Sequence, residues 1–168
     1  MFRRPALPFF HPATLIATWF GSGLAGFAPG TWGSLAALPC AAGLVWLGGP
    51  WALLAAAAAV FAAGLWAGAR YARASAQGDP GAVVVDEVAG QWLALFPVAL
   101  DLRLYPVAFL AFRFFDIAKV WPANWMDRSL KGGLGIMADD IVAGIYAAAL
   151  SLGVASWLGQ ESYFSWTY

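Results

Sequence analysis

From Ile141 to Leu158 the chain runs eighteen residues without a charge, and the two residues just before that run are both carboxylates, Asp139 and Asp140. A run of that length is about enough to cross the hydrocarbon core of a bilayer as a helix. A carboxylate near lipid is costly, and a second one beside it adds repulsion. The fold must therefore provide a membrane span and, at its edge, something that makes paired negative charge tolerable. A cation held between carboxylates is the direct physical answer.

The rest of the chain agrees with a membrane setting. Hydrophobic residues make up 62% and charged residues 11%, against roughly 25% charged in an average globular protein. There is too little polar surface to cover a water-facing core. An all-α, polytopic integral membrane bundle in one domain over residues 1–168 is expected. Formal net charge is zero, which gives no support to a nucleic-acid partner. The single histidine, His11, argues against a His-rich zinc site and phosphohistidine chemistry. The single cysteine, Cys40, lies among apolar neighbours and reads as a buried structural thiol.

Hydropathy places spans at about 34–48, 51–69, 88–100, 104–115 and 141–158. The first two form a hairpin around "GGP", Gly48 to Pro50, and the third and fourth a tilted hairpin around "DLR", Asp101 to Arg103. Residues 1–33 read as a cytoplasmic tail followed by an interfacial or re-entrant segment. Within that segment Thr14, Thr18 and Ser22 would share one face if the helix were continuous; hydroxyls bonded back to their own backbone are the alternative. With five crossings, eight of the nine basic residues fall on one side and only Arg103 on the other. The positive-inside rule makes the first side cytoplasmic. The C-terminal "SYFSWTY" suits an aromatic belt at the outer interface.

That topology collects carboxylates. Asp86 and Glu87, Asp116, and Asp139 with Asp140 each mark a junction between an apolar run and the cytoplasmic side, so all five can lie at one depth. Hard oxygen ligands without His or Cys indicate Mg²⁺ or a similar ion. Arg113, Asp116 and Lys119 recur every three residues, so two cations flank a carboxylate on one broad helix face. Arg can grip phosphate oxygens bidentately and Lys can offset their charge. The plain alternatives are helix caps and an internal salt-bridge stripe. "APGTWGS" brings Thr31 and Ser34 to a helix start, a place for an anion or a simple cap. "KGGLG" lacks the spacing of a nucleotide-binding loop.

The stretches "APGTWGSLAALP", "DPGAVVVDEVAGQWLAL", "FRFFDIAKVWP" and "GGLGIMADDIVAG" resemble, in order, the phosphatidylglycerophosphatase A family. The resemblance implies a Mg²⁺-dependent phosphatase of the bacterial cytoplasmic membrane with its active site facing the cytoplasm. Its substrate would be the phospholipid phosphatidylglycerophosphate, converted to phosphatidylglycerol and inorganic phosphate. It implies catalytic and metal-binding roles for Asp86, Glu87, Asp116, Asp139 and Asp140, and phosphate-binding roles for Arg113, Lys119 and Thr31. Direct in-line attack by an activated water is expected, with a covalent aspartyl-phosphate as the minority route. A cation transporter or channel with junctional carboxylates is the alternative from another class.

Overall fold

In a computed structural model, which describes residues 2–159, the protein is helical throughout, with no strand among the described residues. Six α-helices are formed: α1 (Pro12–Ala17), α2 (Pro29–Ser75), α3 (Val85–Leu95), α4 (Tyr105–Ala118), α5 (Ala123–Ser129) and α6 (Gly132–Trp157). The C-terminal aromatic segment lies outside the described residues.

The long helix α2 is two arms. Gly48 (φ −152°) and Gly49 (φ 72°) leave helical geometry, and Gly49 adopts a conformation that only glycine enters without strain. Pro50 then starts the second arm, where its missing N–H costs nothing. The arms fold back on each other: Ala37, Ala41 and Val45 of the first share a buried cluster with Leu53 and Ala57 of the second. At 1.5 Å per residue the first arm is about 28 Å long, matching a bilayer core. Both α2 and α6 are long and apolar enough to cross a membrane. Large apolar side chains on the outside, among them Trp46, Leu110, Phe114, Ile145 and Trp157, give α2, α4 and α6 a surface suited to lipid contact.

The central element is α3, with nine of its eleven residues buried. Trp92 donates its indole N–H to the Ala37 carbonyl at 2.9 Å, tying α3 to the first arm of α2. Against α6 it packs backbone to backbone: a Cβ at Gly144 would sit 2.5 Å from the Gly90 carbonyl oxygen, and one at Gly90 2.5 Å from that of Asp140. Small residues of this kind let helices approach closely where water does not drive them together.

Three expectations are corrected. The helices overrun the apolar runs: α3 begins at Val85, α4 ends at Ala118 and α6 begins at Gly132, because the polar residues at these junctions face one another inside the bundle. The helix carrying Thr14 stops at Ala17, and Trp19, Phe20 and Gly21 all have positive φ. The hydroxyls of Thr18 and Ser22 bond to backbone carbonyls four residues earlier, the alternative expected for them. Cys40 is exposed rather than buried, on the outer face of the first arm.

Candidate active site

The segment that delivers the first two carboxylates is clamped on several sides. Val83, Val84 and Val85 are all buried, and the Val84 amide donates to the Ala17 carbonyl at 2.8 Å. Gly23 and Gly33 lack side chains where Val84 packs. This anchoring holds the start of α3, so that Asp86 and Glu87 occupy its first turn, where the helix dipole favours negative charge. Asp86 accepts the Glu87 amide at 3.0 Å.

From α6, Asp140 meets this pair. Carboxylate oxygens of Asp86, Glu87 and Asp140 all lie within 4.8 Å of one another. Glu87 Oε2 is buried without a hydrogen-bond partner, a cost for a carboxylate that a ligand at this point removes. The donor set is three hard oxygens, a set that suits a hard divalent cation.

Asp116, in the last turn of α4, takes a different partner. Its Oδ2 lies 2.6 Å from Arg113 Nη1, which is also 3.9 Å from Glu87 Oε1 and 3.4 Å from the Ser34 hydroxyl. Ser34 in turn donates to the Gly30 carbonyl at 2.9 Å. Arg113 is thus aimed by three residues from three helices, α2, α3 and α4.

Asp139 is separated from its neighbour. Adjacent residues on a helix point about 100° apart, and Asp139 turns to Lys119 Nζ at 2.8 Å, which also contacts Asp127 at 2.6 Å. Lys119 follows α4 in a left-handed conformation (φ 44°) that redirects the chain into α5. Burial alone lowers the Lys119 pKa, but hydrogen bonds to Asp127 and Asp139 more than offset it and raise it above the ordinary lysine value, so the side chain remains a cation.

All five predicted carboxylates, together with Arg113 and Lys119, line one cavity of about 740 Å³. Thr31 does not line it; the neighbouring Gly30 does. The sequence pattern did not single out Asp79, Asp127, Arg128 and Lys131 as site residues, and it offered Ser34 only as a cap or anion candidate beside Thr31. Asp79 opens the "DPGAVVVDE" stretch, a signal that was available; its carboxyl is raised above the usual range by burial. Asp127 and Arg128 carried no spacing signal, since α5 reaches the cavity only through the turn at Lys119.

The phosphatidylglycerophosphatase A family model matches residues 15–155. The chain is 39% identical to Phosphatidylglycerophosphatase A of Escherichia coli strain K12, covering 83% of this chain and 81% of the relative. It is 37% identical to Phosphatidylglycerophosphatase A of Haemophilus influenzae, covering 88% and 91%. It is also 41% identical, covering 90% and 97%, to a Putative phosphatidylinositol-3-phosphatase of Bacteroides thetaiotaomicron. No solved structure matches the chain.

Proposed function

Since the chain belongs to the phosphatidylglycerophosphatase A family and is a lipid phosphatase, we propose that its acidic cavity holds Mg²⁺ and the phosphomonoester of phosphatidylglycerophosphate together. The observation that carries this reading is the convergence of Asp86, Glu87 and Asp140 in a cavity that also holds Arg113 and Lys119. Seven carboxylates line it (Asp79, Asp86, Glu87, Asp116, Asp127, Asp139 and Asp140) against the cations Arg113, Lys119, Arg128 and Lys131. That excess of negative charge repels a phosphate unless a divalent cation offsets it.

In this reading Asp86, Glu87 and Asp140 are the metal ligands, with Asp116 beside Asp140. A cation so held supplies positive charge that polarises the phosphoryl group. Arg113, held in place by Asp116, Glu87 and Ser34, presents its remaining N–H groups to the phosphoryl oxygens. Lys119, with two of its three donors taken by Asp127 and Asp139, offers the third. A carboxylate outside the ligand set orients the attacking water.

The family setting also supports a multi-pass protein of the bacterial cytoplasmic membrane. The two arms of α2 together with α3, α4 and α6 form five passes of a single domain, α3 and α4 being tilted and short. The cavity opens to the cytoplasm, on the side that gathers the basic residues. The transporter alternative has no support from any relative.

The two lipids in the relatives' names share one chemistry: a phosphomonoester on a polyol that is itself joined to diacylglycerol through a phosphodiester. The direct test is release of inorganic phosphate from phosphatidylglycerophosphate by purified protein, with and without Mg²⁺. Release at the same rate without any divalent cation would remove the metal from the mechanism.

A further inference from the structure

The four cations of the cavity fall into two kinds. Arg113 and Lys119 are committed to carboxylates at 2.6–2.8 Å. Arg128 and Lys131 line the same cavity, yet among the described residues neither side chain forms an ion pair or a hydrogen bond. Both are exposed, whereas Asp86 and Asp140 are buried. The unpaired cations are therefore at the mouth, where Asp79 is also exposed, and the carboxylate group that suits a metal is at the floor. Trp125, on α5 with Arg128, and Trp121, two residues after Lys119, are exposed, and exposed tryptophan is the side chain that settles at the head-group level of a bilayer.

We propose that Arg128 and Lys131 form a second phosphate subsite at the cavity mouth, which binds the phosphodiester of the lipid head group while the phosphomonoester reaches the floor. The inference rests on the phosphatidylglycerophosphatase reading. A head group of this class carries two phosphates, one at each end of a short polyol. The diester stays at the interface with its acyl chains, and the monoester extends away from them. A cavity with acidic, metal-suited residues at the floor and free cations at the mouth matches that order of charges. The diester does not react, so its contact is equally strong in ground and transition states and acts on KM.

The two reaction products separate the subsites. Dihexanoyl phosphatidylglycerol carries only the diester, and inorganic phosphate only the transferred group. Combining Arg128→Gln with Lys131→Gln raises KM for phosphatidylglycerophosphate, and the inhibition constant of the short-chain phosphatidylglycerol, by about tenfold each, as expected for lost charge-assisted contacts. The turnover number and the inhibition constant of inorganic phosphate stay within about twofold. A parallel rise for inorganic phosphate would place these cations on the reacting group and overturn the proposal. So would unchanged constants, or a wild-type enzyme that phosphatidylglycerol does not inhibit. The swap of Arg128→Lys with Lys131→Arg keeps both charges and restores the wild-type constants; its failure to do so also overturns the proposal. Absence of any phosphate release by the wild type would instead count against the underlying activity.

Discussion

Gly30 and Glu87 are packed so closely that a Cβ at position 30 would overlap the Glu87 carboxylate and approach Arg113 Nη1 to 3.1 Å. The overlapped atom is the end of a flexible side chain, so Gly30→Ala moves a site carboxylate without breaking the helix. Alanine is also the better helix former, by up to about 1 kcal/mol. The variant should keep its melting temperature in detergent and lose about tenfold or more in rate, as a displaced electrostatic contact predicts. Loss of rate together with collapse of the melting transition would mark the glycine as structural only.

Asp139 and Asp140 should behave differently although they are neighbours. Asp140→Asn removes a charge from the three-carboxylate group, so it should lower the rate by at least about 10²-fold and raise the Mg²⁺ concentration needed for half activity. Asp139→Asn releases Lys119 from one of its two partners and should leave that Mg²⁺ requirement near wild type. Asp101→Asn is the control: Asp101 pairs with Arg103, away from the cavity, and asparagine caps a helix nearly as well. Asp127 cannot serve as a control, since it contacts Lys119. Equal Mg²⁺ requirements in the Asp139 and Asp140 variants would dissolve the distinction.

Chelation should abolish activity, and millimolar Mg²⁺ should restore it, because every candidate ligand is a hard oxygen. Manganese should substitute better than zinc. Full activity after exhaustive chelation contradicts the metal site.

Topology can be read by labelling. In a background without Cys40, cysteines at Ser75 and Ser129 should react only from the cytoplasmic side, and one at Asp101 only from the opposite side. Reaction of the first two from opposite faces would set α2 and α5 across the membrane from each other and contradict a single cytoplasmic opening.

Much of this arrangement was legible in the sequence because charge and hydropathy act over the length of a helix. The GGP break, the fold-back of the two arms of α2 and the gathering of five carboxylates into one cavity follow from apolar lengths and the charges at their ends. The sorting of Asp139 from Asp140 was not legible. It depends on where Lys119 lands, and a left-handed residue after α4 decides that. Thr31 and Ser34 both stand at a helix start, three residues apart, and the resemblance pointed to Thr31; the approach of Arg113 selects Ser34. Cys40 read as buried because its neighbours are apolar, but in a membrane protein apolar residues also face outward.

The Gly90–Gly144 contact has a mechanical consequence. It joins α3 and α6, the helices that carry Asp86, Glu87 and Asp140, by main chain rather than by side chains that could repack. A crossing of that kind acts as a pivot. Side chains of the outer helices can repack without changing the spacing of the two backbones at that point, so the carboxylates beside the crossing keep their separation.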